Sequence, residues 1–275
     1  MNRKNHRQRI AVILMIGVLV TLSCRLPFFS AELPDMIEGS GNVISELREV
    51  QDFDRIQLTG AGDVFITQEG VELVTVEADD NLLPYIETEV RAGNLMLGYS
   101  DEVMDRSIRP SQTIKFIVSL KEINALEISG AGDVYSESLN TERLKVKVDG
   151  ASDVTFEQLT LEQFDIEVNG SSDIQVEQLA AQEVDVHING SAGIYLSGDT
   201  YEQNINIDGS SNYVATDLYS QQGNITIDGQ GDVTIWAVSI LDVHIPGTGT
   251  VRYYGDPVIS FSDPGQGELE ALGDK

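Results

Sequence analysis

A unit of about 20 residues recurs along this chain, and it constrains the fold more strongly than any other feature. From Leu144 onward the units LKVKVDGASDVTFEQLTLEQ, FDIEVNGSSDIQVEQLAAQE and VDVHINGSAGI align residue for residue. Each unit has a glycine after its first apolar run, and the series comprises Gly60, Gly130, Gly150, Gly170, Gly190, Gly209, Gly229 and Gly247. A fixed period of this size is typical of solenoid proteins, in which each repeat packs on its neighbours.

Apolar residues alternate with polar residues on both sides of each glycine. In one unit, Val146 and Val148 precede Gly150, while Val154 and Phe156 follow it. Such alternation predicts strands that bury one face, and stacked units would join these faces into one apolar column. We therefore predict an all-β fold, a single-chain parallel β-solenoid (β-helix) with coils of about 20 residues and atypical N-terminal coils acting as a cap.

The Asp-Gly and Asn-Gly pairs at the repeated corner leave an alternative open. Between alternating strands these pairs usually mark a two-residue hairpin, which would produce an antiparallel meander or a sandwich. An identity period of 20 residues is met better by parallel stacking. We expect glycine to supply a positive φ at the same corner of every coil, because glycine adopts that conformation at little cost.

The N-terminal segment has the composition of an export signal. Basic residues precede an apolar run from Ile10 to Ser23, which is too short to cross about 30 Å of hydrocarbon comfortably. The only cysteine, Cys24, follows in the sequence Thr-Leu-Ser-Cys, which resembles the lipobox of bacterial lipoproteins. This resemblance implies lipid attachment at Cys24 and a protein anchored to a membrane of the cell envelope, facing the periplasm or the exterior. An ordinary cleaved signal and an uncleaved anchor are the alternatives.

Composition also predicts the boundaries of the folded domain. Prolines and a Gly-Ser-Gly triplet indicate a tether before residue 48, and Pro257 and Pro264 are expected to stop strand addition at the other end. We predict a lipoprotein-type signal at 1–24, a flexible tether at 25–47, a β-solenoid at 48–257 and a C-terminal cap or tail at 258–275. Within the solenoid, residues 48–125 should be irregular and residues 126–257 regular.

The chain is strongly acidic, which restricts its partners. It has 17 Lys and Arg against 45 Asp and Glu, a formal net charge of −28, and it has no Lys or Arg between Val148 and Val251. Nucleic acid and anionic membranes are therefore excluded as partners, because both bind through basic residues. Acidic polysaccharides are poor candidates for the same reason. Alternatively, the charge serves only to keep an exported β protein soluble.

An aspartate recurs three residues after many of the corner glycines, as Asp63, Asp133, Asp153, Asp173 and Asp232. Stacked coils would align these carboxylates about 4.8 Å apart along one edge. Carboxylate oxygens are Ca²⁺ ligands, so a calcium ladder is one hypothesis, and no other cofactor is predicted. The alternative, which we favour, is that each aspartate accepts backbone N–H groups at its corner.

The remaining candidate residues concern catalysis and sugar binding. Parallel β-helices host polysaccharide-active enzymes, but the central coils contain no basic residue to take up a proton, and His187 and His244 are expected to point outward. We predict that the protein is not an enzyme. Aromatic residues in the later coils could stack on sugar rings or pack in the core, and they are Tyr195, Tyr201, Tyr213, Tyr219 and Trp236.

Several motifs together resemble one known family. GAGDV occurs at 60–64 and 130–134, with the variants GASDV and GSSDI, the segment DNLLPYIETEV and the ending GTGTVRYYGDP. These motifs are similar to the family called putative auto-transporter adhesin, head GIN domain, over residues 48–257. The resemblance implies an exported, envelope-associated bacterial β-helical domain, whereas the adhesin label is itself an inference from fold.

The functional prediction is a non-enzymatic, envelope-anchored, adhesin-like solenoid. Its acidic elongated surface would bind an unknown envelope or extracellular ligand, either a protein or a neutral glycan. A polysaccharide-active β-helix enzyme and a purely structural envelope protein are the alternatives.

Overall fold

The structure, a computed structural model, describes residues 36–103 and 106–275. The export signal and Cys24 predicted above lie outside the described residues. Within this part of the chain the fold is all-β, with two single 3₁₀ turns, Leu83–Tyr85 and Asp101–Val103. The first of these contains Pro84 at its start, where the missing N–H group breaks no hydrogen bond of the turn.

The described residues form 23 strands. In chain order they are β1 (Met36–Glu38), β2 (Val43–Glu49), β3 (Arg55–Thr59), β4 (Asp63–Thr67), β5 (Leu73–Asp79), β6 (Ile86–Arg91), β7 (Asn94–Tyr99), β8 (Ser107–Arg109), β9 (Lys115–Ser119), β10 (Ala125–Ile128), β11 (Val134–Asn140), β12 (Arg143–Val148), β13 (Val154–Thr160), β14 (Gln163–Val168), β15 (Ser171–Ala180), β16 (Glu183–Ile188), β17 (Ser191–Asp199), β18 (Glu202–Ile207), β19 (Ser210–Ile227), β20 (Gln230–His244), β21 (Thr248–Tyr254), β22 (Val258–Ser262) and β23 (Gln266–Gly273).

The repeated units stack in parallel, which confirms the solenoid and not the hairpin alternative. In the row of strands before each corner glycine, here called the entry row, Val146 of β12 lies opposite Ile166 of β14. In the row after the glycine, the exit row, Val154 of β13 lies opposite Ile174 of β15. A third line of pairing, the return row, places Leu159 opposite Leu179. Each coil of about 20 residues therefore has three sides.

The apolar residues of all three rows meet in one continuous column. Entry-row residues such as Val146 and Val186, and exit-row residues such as Phe156 and Ile174, are completely buried. Each buried side chain of this size contributes roughly 1.5–3 kcal/mol relative to an exposed one. One coil alone could not bury these faces, so the stacking itself stabilises the strands.

One polar pair interrupts the column. Tyr213 is completely buried, and its hydroxyl donates a hydrogen bond to Oε1 of Gln203 at 2.7 Å. Burial raises the pKa of Tyr213 well above its usual range, so this hydroxyl remains a donor. The Nε2 atom of Gln203 has no hydrogen-bond partner.

Antiparallel strand pairs occur at the N-terminal end of the column. Because strands already begin at Met36, the predicted flexible tether at 25–47 is wrong from that residue onward. Strand β2 pairs with β5 in antiparallel register, whereas β1 pairs with β8 in parallel. Composition did not indicate this strand because β2 is held by backbone hydrogen bonds to β5. Its apolar residues stay exposed, as shown by Leu47 at 60%. Within residues 48–125, β6 and β7 form an antiparallel hairpin.

The predicted C-terminal boundary at residue 257 is also wrong. Strand β22 pairs in parallel with β20, and β23 pairs with β21, so the coils continue through the predicted tail. Pro257 and Pro264 precede these strands, where the missing N–H interrupts no ladder. Ile259 and Phe261 face the column but remain 40% and 44% exposed, because no described coil covers them.

Candidate functional site: a trench along the glycine corner

The corner glycines are needed for close packing of successive coils. A Cβ atom on Gly150 would lie 1.9 Å from the carbonyl oxygen of Gly130, and one on Gly190 would lie 2.0 Å from that of Gly170. No side chain tolerates such a distance. The predicted positive φ is wrong for seven of the eight corner glycines, because only Gly60 has one, at 95°. The repeated glycines do indicate positions that require glycine. The reason is the close approach of the neighbouring coil and not a positive φ.

Stacked glycines produce a strip of surface without side chains, which forms the floor of a groove. We call this groove the corner trench. Two adjoining concave regions with volumes of about 600 and 740 Å³ share Ser191, Ser210 and Gln230 and form its main part. A third, of about 580 Å³, extends it past Gly247. The trench thus runs along the solenoid axis across several coils.

One wall of the trench is a ladder of exposed carboxylates and amides directly before the glycines. The Nδ2 atom of Asn169 donates to Oδ1 of Asp149 at 2.7 Å, and Nδ2 of Asn189 donates to Oδ1 of Asn169 at 2.8 Å. Asp208 and Asp228 continue this line in the next coils. These bonds hold the wall in one conformation and leave acceptor oxygens at the surface.

The opposite wall consists of small polar residues at the start of the exit row. Exposed side chains on this wall are Ser171, Ser191, Ser210, Gln230 and Thr248. The second residue after the corner glycine is often a buried serine that accepts a backbone hydrogen bond from the preceding coil. The hydroxyl oxygen of Ser152 accepts one from the Gly132 N–H at 3.2 Å, and that of Ser211 accepts one from the Ala192 N–H at 3.3 Å. Sequence reasoning missed this role, although the Gly-x-Ser spacing was its signal.

The predicted aspartate ladder lies beside the trench and caps the backbone of neighbouring coils. Oδ1 of Asp133 accepts the N–H of Asp153 at 3.1 Å, and Oδ1 of Asp153 accepts that of Asp173 at 3.0 Å. Asp63 makes the equivalent bond, whereas Asp232 lies 3.7 Å from Arg252. Among the described residues, no three His, Cys, Asp or Glu side chains converge as a metal site. The observed bonds are those of the capping alternative.

Tyr195 is an aromatic residue that lines the trench, in the coil where Gly193 replaces the repeated aspartate. A Cβ atom on Gly193 would lie 2.7 Å from Cε2 of Tyr195 and 2.6 Å from Oδ1 of Asp173. The tyrosine ring therefore lies over Gly193 and beside Asp173. It remains 40% exposed, so part of the side chain is accessible from solvent.

The other aromatic and histidine candidates do not share this site. Tyr213 belongs to the core, and Tyr201, which is 50% exposed, does not line the trench. Tyr219 and Trp236 pack against each other on the return row, with ring centroids 5.1 Å apart. His187 and His244 are exposed, as predicted. Sequence spacing places the aromatic residues in the later coils but does not tell which of the three sides each one occupies.

The parallel coils define the class of the protein as a parallel β-solenoid, with a groove along one corner. The chain belongs to the family described as putative auto-transporter adhesin, head GIN domain, whose sequence profile matches residues 52–257. This confirms the family resemblance seen in the repeat motifs. Membership of this family indicates an exported or surface protein. No helix in the described part of the chain is long and apolar enough to span a membrane.

Two solved structures have the same fold as this chain. A putative lipid binding protein from Parabacteroides distasonis ATCC 8503 has 21% identity and a TM-score of 0.76, covering 86% of this chain and 100% of that one. A putative adhesin from Parabacteroides merdae ATCC 43184 has 20% identity and a TM-score of 0.76, covering 86% and 99%. Such identities support the fold alone. No functionally curated protein matches the chain.

Proposed function

We propose that this protein is a non-catalytic binding module of the cell envelope that holds an extended, uncharged polysaccharide in the corner trench. The observation that carries this proposal is the continuous floor without side chains, walled by amides, carboxylates and hydroxyls. From Gly150 to Gly247 the floor crosses five coil spacings, or about 24 Å at 4.8 Å each. That length suits a chain ligand better than a small molecule.

The chemistry of the walls supports a neutral glycan. Sugar hydroxyls both donate and accept hydrogen bonds, and Asn189, Ser191 and Ser210 offer both functions along the trench. The exposed ring of Tyr195 offers an apolar face for a sugar ring. No Lys or Arg lines the trench, and Asp173 and Asp232 border it, so an anionic polymer would be repelled.

A glycan array tests the proposal directly. The purified chain should bind one or more neutral polysaccharides and none of the acidic ones. The variant Ser210→Trp, which places a large side chain in the trench, should lose this binding, whereas Ala180→Trp at an exposed return-row position should keep it. Release of reducing ends from a bound polysaccharide would instead support the enzyme alternative, and equal binding by both variants would contradict a role for the trench.

The anchoring of the module is a separate part of the proposal. We infer that export is followed by lipid attachment at Cys24, which would display the solenoid at a membrane surface. The variant Cys24→Ser should move the protein from the membrane fraction to the soluble fraction. Membrane association unchanged by this substitution would contradict the lipid anchor.

A further inference from the structure

Aromatic side chains occupy the same position of the return row in three successive coils. Tyr219 lies opposite Trp236, and Trp236 lies opposite Tyr254 in parallel register. The Tyr219 and Trp236 rings meet edge to face at 86°. In the following coil the equivalent position is Gly273, which has no side chain to continue the series. None of these aromatic residues lines the corner trench.

The ammonium group of Lys275 lies at the end of this aromatic series. Its Nζ atom is 5.3 Å from the ring centroid of Trp236 and 5.5 Å from that of Tyr254. The same atom donates a hydrogen bond to the backbone carbonyl of Thr216 at 2.5 Å and forms an ion pair with the Asp217 carboxylate. Two aromatic rings, a carbonyl and a carboxylate are the groups by which proteins bind organic cations.

The walls of this site are held by contacts that do not involve Lys275. The Tyr219 hydroxyl accepts a hydrogen bond from Nε2 of Gln221 at 2.7 Å, and Oε1 of Gln221 accepts one from Ser239 at 2.7 Å. The backbone carbonyl of Trp236 accepts a hydrogen bond from Ser220 at 2.7 Å. Because strands β20 and β21 fix the backbone of both cation-binding rings, the site should persist when the lysine leaves.

We propose that Trp236, Tyr254 and Asp217 form a binding site for an organic ammonium group, and that Lys275 occupies it as an intramolecular competitor. Asp217 and Trp236 lie within the stretch from Val148 to Val251, which contains no Lys or Arg, so the surroundings of the site attract cations. A primary or methylated ammonium matches the observed contacts, and a free amine or the headgroup of a zwitterionic lipid could supply it. This site is distinct from the trench and does not depend on the polysaccharide proposal.

Fluorescence of Trp236, the only tryptophan in the chain, reports on the site directly. The full chain carrying Lys275→Ala is titrated with tetramethylammonium chloride, with sodium chloride at equal ionic strength as the control. We expect a saturable change in the Lys275→Ala chain and binding about tenfold weaker in the unmodified chain, in which the lysine competes. Adding Asp217→Asn should abolish the change, whereas adding Asp242→Asn, at an exposed position on the entry row, should not.

The outcomes are distinct. A response that is linear, or equal to that with sodium chloride, would show that Lys275 only fastens the end of β23 and would overturn the proposal. Equal affinity of the unmodified and Lys275→Ala chains would overturn the competition. A second arm separates the ligand sources: association of Lys275→Ala with phosphatidylcholine vesicles would identify a lipid headgroup, and binding of tetramethylammonium without vesicle association would identify a free cation.

Discussion

A Cβ atom on Gly170 would lie 1.9 Å from the carbonyl oxygen of Gly150 in the preceding coil. The two glycines therefore stack backbone on backbone, and the same contact recurs at the other regular corners. This packing explains both the spacing of the glycines in the sequence and the absence of side chains from the trench floor. Stability and the proposed binding surface thus depend on the same residues.

The first prediction concerns the cause of the glycine requirement. Gly170→Ala should lower the free energy of unfolding by about 1–3 kcal/mol, because the added methyl group forces the coils apart. Gly170→Asn should be at least as destabilising. At Gly70, where φ is 77° and no atom lies within 4 Å of a Cβ, Asn should be tolerated better than Ala. Urea denaturation measures all four variants, and rescue by Asn at residue 170 would restore the positive-φ explanation.

The buried Tyr213–Gln203 pair predicts a coupled effect on stability. Tyr213→Phe removes the only hydrogen bond of the Gln203 side chain, and leaving that buried amide unpaired should cost about 1–3 kcal/mol. The double variant Tyr213→Phe with Gln203→Leu replaces both partners by apolar groups and should recover most of this loss. A double-mutant cycle in urea measures the coupling; strictly additive effects would argue against the pair.

Asp79 predicts a pH dependence of the N-terminal cap. This carboxylate is 1% exposed; burial alone raises its pKa, but hydrogen bonds from the Ser111 hydroxyl and from the N–H groups of Ser111 and Gly41 lower the pKa overall. Because the folded pKa lies below the unfolded value of about 3.9, this stabilisation is present above that pH and is lost as the pH falls through the folded pKa.

The variant Asp79→Asn tests this linkage. At pH 6 it should be less stable than the unmodified chain, and the difference should narrow as the pH approaches 3, because protonation removes the same charge. Urea denaturation at both pH values gives the comparison, with Glu127→Gln as a control for loss of an exposed charge. A difference that is constant with pH would contradict the linkage.

The aspartate ladder predicts no response to calcium. Since Oδ1 of Asp133 and of Asp153 already accepts a backbone N–H from the next coil, we expect the same melting temperature in EDTA and in millimolar Ca²⁺. A ligand at 100 times its Kd would add about 2.7 kcal/mol, which a thermal melt resolves. A clear rise in Tm with Ca²⁺ would revive the calcium hypothesis and assign the ladder a metal-binding role.

Periodic features of the fold were predictable from the sequence, and unpaired or singular ones were not. Alternation around Val146 and Ile166 predicted their burial because both belong to a repeated pattern. Strand β2 follows no period and pairs antiparallel, so its sequence resembles that of a tether. In the site, the glycine positions were predicted but their steric cause was not, since it depends on the distance between coils. The position of the Tyr195 ring over Gly193 likewise depends on side-chain packing that follows no repeated pattern.

Affinity electrophoresis in gels containing neutral or acidic polysaccharides tests the central claim, that the corner trench binds an uncharged glycan. The unmodified chain and Tyr201→Ala, which removes an exposed tyrosine outside the trench, should be retarded by the same neutral polysaccharide. Tyr195→Ala should migrate freely in that gel, and no variant should be retarded by an acidic polysaccharide. Equal retardation of Tyr195→Ala and the unmodified chain, or retardation by acidic polysaccharides alone, would contradict the claim.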